Sequence, residues 1–130
     1  MEKLNLEEKF SLFTDLWSPK VIAEMNDYQF KLAKVDGSFV WHDHSDTDEV
    51  FIVINGTLHI EFEDRILSLD QGEMVVVPKG TRHRPFAEKE CQIMLVEPRG
   101  VLNTGDGGHD KMESDDGRRA ERTAGNDVWI

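Results

Sequence analysis

The chain has 130 residues, enough for one domain with a real core. Its 26 acidic residues outnumber 15 lysines and arginines, for a formal net charge of −11. That balance repels phosphate backbones and anionic lipid heads, so nucleic acid and membrane surfaces are not expected partners, whereas a metal cation is electrostatically welcome.

Residues 5–17 (NLEEKFSLFTDLW) read as a helix. Asn5 can cap it, and Glu8 three residues on fits a capping box. Leu6, Phe10, Phe13 and Trp17 recur at helical spacing as one apolar stripe, expected to pack on the main domain or on a partner subunit. No basic region followed by an apolar run opens the chain, so a signal peptide is not expected. The runs VFIVI and MVVV are too short to span a bilayer as helices. The expectation is a cytoplasmic, soluble protein.

From Pro19 to Pro98 the chain reads as short strands divided by turns: 20–25, 28–35, 38–43, 49–54, 57–63, 65–69, 73–77, 82–86 and 91–97. Many short strands at regular spacing indicate an all-β sandwich or barrel. Lys31 and Lys34 differ in strand parity, so at most one faces inward. The single cysteine, Cys91, excludes an internal disulfide and reads as a small buried hydrophobe. Residues 103–126 are polar and Gly-rich, with too few apolar residues to order themselves. His109 in that stretch reads as solvated. Trp129 and Ile130, at the end of the chain, are costly to leave in water and are expected to dock on the barrel or a neighbouring subunit. The expected division is a helix over 1–19, a barrel over 20–102 and an extension with a docking end over 103–130.

Asn55-Gly56 is the favoured pair for a two-residue hairpin turn. The register it implies puts Glu49, Phe51, Val53, Leu58, Ile60 and Phe62 on one face. Val50, Ile52, Ile54, Thr57, His59 and Glu61 fall on the other. The first face reads as a barrel interior with one carboxylate at its end, which needs a compensating cation. The second is half apolar and calls for cover. His59 lies away from Glu49 and is set aside as a ligand.

His42 and His44 are two apart on a predicted strand, so both rings share a face while Asp43 and Trp41 point outward. His83 follows the Pro78-Lys79-Gly80 turn. Three imidazoles and a carboxylate suit iron, manganese, nickel, cobalt, copper or zinc. On spacing alone, the pair also fits a polar strand edge, and Glu49 and His83 also fit ordinary polar positions.

The arrangement resembles the two sequence motifs of the cupins, small β-barrels that commonly bind a divalent metal. Gly37, His42, His44, Glu49 and Gly56 fill the first motif, with four residues in place of five between Gly37 and His42. Gly72, Pro78, Gly80 and His83 fill the second, and Ala87 stands where the pattern has asparagine. The resemblance implies a jelly-roll-like antiparallel barrel and one divalent transition metal ion on His42, His44, Glu49 and His83. It further implies oxygenase, isomerase, decarboxylase or lyase chemistry on a small polar or carbonyl substrate, or else a non-catalytic metal, sugar or small-ligand binding module. A homodimer, common among cupins, would cover the outer apolar surfaces. No catalytic group beyond the metal set is evident.

Overall fold

The structure, a computed structural model, describes residues 1–105 and 127–130. Within them a short helix, α1 (Leu6–Phe10), precedes seven strands. These are β1 (Lys20–Met25), β2 (Tyr28–Ser38), β3 (Glu49–Asn55), β4 (Thr57–Glu61), β5 (Ile66–Asp70), β6 (Met74–Val77) and β7 (Arg84–Pro98). All paired strands run antiparallel, in the order β1-β2-β7-β3-β6, with β4 joining β7 to β5. The result is the all-β, jelly-roll-like barrel expected from the sequence.

Strand β7 organises it. The expected strands 82–86 and 91–97 are one 15-residue strand, flanked on one side by β2. On its other side β3 and β4 run one after the other: Val53 pairs with Ile93, Asn55 with Gln92, and His59 with Phe86. Asn55-Gly56 is therefore not a hairpin turn, and β3 does not pair with β4. It is a crease in a through-going strand, with a register shift between Val53 and Asn55. Gly56 adopts φ +98°, and a Cβ there would lie 3.3 Å from Cys91 Cα. The crease brings two backbones together where only glycine fits. A hairpin and a bulged bend both shift parity by one residue. Hence Glu49, Phe51, Val53, Leu58 and Ile60 are all buried as expected, although the pairing that predicted them is absent.

The helix is shorter than its periodicity implies. Asn5 Oδ1 accepts from Glu8 N–H at 2.9 Å, but α1 stops at Phe10. Beyond it, tertiary hydrogen bonds replace further helical turns. Lys34 Nζ donates to the Phe13 carbonyl (2.7 Å), and Trp17 N–H donates to the Lys34 carbonyl (2.8 Å). The supposed single stripe divides accordingly. Phe10 and Phe13 join Ile22 and Leu32 outside the barrel, while Trp17 enters the barrel core.

The predicted strand 38–43 also dissolves. β2 ends at Ser38, and in the rest of that stretch His42 makes a ladder-like pair with His83. The chain end lies against β1: Val21 N–H donates to the Val128 carbonyl and Ile130 N–H to that of Val21. Ile130 packs on the outer apolar cluster, and Trp129 stays half exposed. His109 and most of the polar stretch lie outside the described residues.

Candidate metal centre

The four candidate residues arrive from three places. His42 and His44 lie in the loop after β2, Glu49 opens β3 on its inner face, and His83 immediately precedes β7. The turn at Pro78–Gly80 locks this loop in place. Gly80 N–H donates to the His44 carbonyl (2.8 Å), and Lys79 N–H to Asp48 Oδ1 (2.9 Å). His42 and His83 exchange both backbone hydrogen bonds, at 3.0 and 2.9 Å. The Pro-x-Gly turn thus has a mechanical role: it fixes the distance between the histidine loop and His83.

One potential ligand atom from each of His42, His44, Glu49 and His83 lies within 4.8 Å of the others, and all four residues are buried. These residues could hold a metal ion. Hydrogen bonds decide which ring atoms face the centre. His42 Nδ1 meets the Val40 carbonyl at 2.9 Å and His83 Nδ1 meets the Thr81 carbonyl at 2.8 Å. A carbonyl only accepts, so both Nδ1 atoms carry hydrogen, and Nε2 is the atom left for the interior. Backbone carbonyls that fix the tautomer in this way are the usual support of metal-binding imidazoles.

Glu49 Oε1 lies 3.1 Å from His44 Nε2 and 3.3 Å from His83 Nε2. With Nδ1–H already committed, a neutral His83 would aim a lone pair at a carboxylate oxygen. A proton on Nε2 or a cation between the atoms resolves that meeting. The donor set therefore fits a metal ion.

Electrostatics favour the same forms. Burial, followed by the nearby charge of His83, lowers the His42 pKa to about 3, so this ring is neutral, the form that binds metals. Burial alone would raise the Glu49 pKa. With protons on the Nε2 atoms of His44 and His83, their contacts with the carboxylate outweigh it, and the carboxyl stays well below its ordinary range. Aromatic rings close the surroundings: Phe39 meets His42 edge-on at 5.5 Å, and Phe51 meets His83 edge-on at 6.0 Å. A cavity of about 30 Å³ adjoins His42 and Glu49, bounded in part by Trp17, Phe39, Phe51 and Asn103.

The residues set aside fall elsewhere. His59 sits outside the barrel, with Nδ1 2.7 Å from Ser68 Oγ and its ring stacked on Phe86. Trp41 is half-buried beneath the guanidiniums of Arg82 and Arg84, and Asp43 is also half-buried. Of the two lysines on β2, Lys31 faces inward and is buried, while Lys34 reaches the Phe13 carbonyl.

Sequence reasoning missed the partner of Lys31. Its ammonium lies 3.7 Å from Glu97 Oε2, and both side chains are almost fully buried. Burial, reinforced by the Glu49 charge and opposed by Lys31, pushes the Glu97 pKa up to about 7. A signal for Glu97 was present: it continues the alternation of Cys91, Ile93 and Leu95. The role of Trp17 in the barrel was hidden by its place in an apparent helical stripe.

Comparison with known proteins agrees with this architecture. A family model described as the cupin domain matches residues 29–97. The chain belongs to the cupin family. It is similar to a cupin-2 domain containing protein from Shewanella frigidimarina NCIMB 400, with 64% identity and a TM-score of 0.74 over 74% of this chain and 94% of that one. Protein NMB1881 from Neisseria meningitidis is 34% identical, with a TM-score of 0.69 over 75% of this chain and 99% of that one. The uncharacterized protein YdbB of Bacillus subtilis (strain 168) is 44% identical over 77 residues, which are 58% of this chain and 68% of YdbB.

Proposed function

We propose that the protein is a metal-dependent cupin enzyme of oxygenase, isomerase or lyase type. It holds one divalent transition metal ion on His42, His44, Glu49 and His83 and acts on a small polar or carbonyl substrate. The observation that carries this reading is the convergence of four buried donor atoms within 4.8 Å. Two of the rings are held in the required tautomer by backbone carbonyls. A bound ion would supply Lewis-acid polarisation of a substrate oxygen and, if redox-active, electron-transfer capacity. Glu49 would supply charge compensation, and Phe39 and Phe51 would exclude water and lower the local dielectric.

A non-catalytic metal or small-ligand binding module is the second reading. In its favour, His42 and Glu49 are the titratable side chains among the described residues lining the cavity, so no separate acid or base stands ready. Elemental analysis of untagged protein, as purified and after reconstitution with Fe(II), Mn(II), Ni(II), Co(II), Cu(II) and Zn(II), tests the metal site. About one equivalent of one ion is expected. Less than ~0.1 equivalent in every case removes the proposal. Turnover by the loaded protein in a substrate screen selects the enzyme, and tight binding without turnover selects the module.

We further propose a cytoplasmic homodimer that engages neither nucleic acid nor membrane. Met74 and Val76 on β6 are half exposed, beside the partly covered Val50 and Ile52 of β3. A second copy would cover this apolar face. Among the described residues, no helix is long and apolar enough to cross a membrane. Light scattering at micromolar concentration should return twice the chain mass, and a monomer would dismiss the dimer.

A further inference from the structure

The cavity beside His42 and Glu49 measures about 30 Å³, room for about one water molecule. Pockets for drug-sized ligands run to roughly 300–1,000 Å³. The strands of the barrel do not set this limit alone. Trp17 enters from the segment before β1 and forms part of the cavity wall. Its backbone is left-handed, at φ 57°, which is uncommon for so bulky a residue.

Two hydrogen bonds hold it there: Trp17 N–H to the Lys34 carbonyl (2.8 Å) and the indole N–H to the Asp36 carbonyl (2.9 Å). The indole stacks on Phe39 at 4.9 Å and 14°, and Phe39 meets His42 edge-on. A left-handed bulky residue persists only where its surroundings over-determine it. Here the surroundings deliver one ring to one end of the cavity. The rest of the wall includes Val35, Phe51, Ile93 and Leu95. Among the described residues, Glu49 is the charged side chain that lines it, beside the imidazole of His42, and none of them supplies a cation for an anionic arm.

We propose that Trp17 is the specificity-determining residue of this site. It restricts the ligand to a compact molecule whose uncharged substituent is of methyl or ethyl size. The proposal rests on reading His42, His44, Glu49 and His83 as a metal centre. The indole stands where a larger substituent would go, and removing it opens that space.

The test uses the full chain loaded with Co(II), titrated with acetohydroxamate or benzohydroxamate and followed by visible absorption. Wild type should bind acetohydroxamate at least ~10-fold more tightly than benzohydroxamate. Trp17→Ala should tighten benzohydroxamate relative to acetohydroxamate by ~10–100-fold. Trp17→Leu, a milder change, should fall between. Equal affinities in wild type overturn the proposal, as does the lack of any gain in a variant that folds. The wild-type preference decides the matter if neither variant folds.

A metal-free arm separates this proposal from the metal reading. Indole should raise the Tm of metal-free Trp17→Ala or Trp17→Leu saturably and leave that of wild type unchanged. No rise in either variant refutes Trp17 as a cavity wall. If Co(II) is not retained but indole stabilises the variants, the metal reading and the ligand class fall while the wall assignment stands.

Discussion

Two buried polar clusters share one barrel, and they solve the problem of buried charge differently. The Lys31–Glu97 pair carries its cation within the chain: the ammonium lies 3.7 Å from the carboxylate. The His42–His44–Glu49–His83 cluster gathers lone pairs around a carboxylate, with the Nδ1 hydrogens of His42 and His83 turned away toward backbone carbonyls. The first has its cation in place, although Glu97 Oε2 makes no hydrogen bond among the described residues and its carboxyl is pushed up to about 7. The second is completed by a proton or by an ion from outside. Burial of charge alone therefore does not mark a site; the direction of the donors does.

Experiments can break or sharpen this contrast. The largest expected effect is on the side that lacks its own cation. Glu49→Gln should weaken metal binding by at least ~100-fold, more than the loss of a supporting hydrogen bond costs. His83→Ala should also lose metal while remaining folded, as judged by circular dichroism. If either variant bound metal as well as wild type, the four-ligand assignment would be wrong.

On the self-contained side the loss should appear as stability. Lys31→Met should destabilise the fold at pH 8 by about 1–2 kcal/mol, a loss limited because the Glu97 carboxyl, already pushed up to about 7, can take up a proton. The double change Lys31→Met with Glu97→Met should recover most of that loss in a urea titration. Equal effects of the single and double changes would show that the two side chains are not coupled.

Metal should stabilise the intact cluster through mass action. At a free ion concentration a hundred times Kd, unfolding should cost about 3 kcal/mol more than in chelator. Calorimetry with and without chelator measures this, and Glu49→Gln should reduce the difference to about 0.4 kcal/mol or less.

A smaller effect separates the clusters by pH. The Glu97 carboxyl has an ordinary pKa of 4.5 and sits at about 7 in the fold. Between those values the folded protein keeps a proton that the unfolded chain has released, so this group removes stability as pH rises through the window. Glu97→Gln lacks that titration. Its Tm relative to wild type should therefore shift in the variant's favour from pH 5 to pH 8. A constant difference would contradict the raised pKa.

Much of the barrel and its candidate site can be read from the residues alone, with uneven reliability. His42, His44, Glu49 and His83 are recoverable as one set through the resemblance to the two cupin motifs, whereas spacing alone leaves them open to ordinary polar roles and places His42 on a strand, though β2 ends at Ser38. Asn55-Gly56 misleads because left-handed glycine serves a hairpin turn and a crease equally well. Long-range pairing with β7 decides between them, and no local pattern encodes it. Periodicity at Leu6, Phe10, Phe13 and Trp17 overstates the helix for a related reason: two separate apolar clusters take the residues of one apparent stripe. The Lys31–Glu97 pair needs the β2–β7 register, which brings distant parts of the chain together.

The position of β7 has a consequence for the order in which the candidate centre assembles. With β2 on one side and β3 then β4 on the other, β7 is the strand hardest to release, and its amides should be the last to exchange with deuterium. His83 stands at its entrance and Glu49 opens a strand paired to it. His42 and His44 ride on a loop with fewer ladder bonds. Local opening should therefore leave a persistent half-site of Glu49 and His83, onto which the histidine loop closes. Capture of an ion should then be a two-stage event, with slower exchange at residues 42–44 as its second stage.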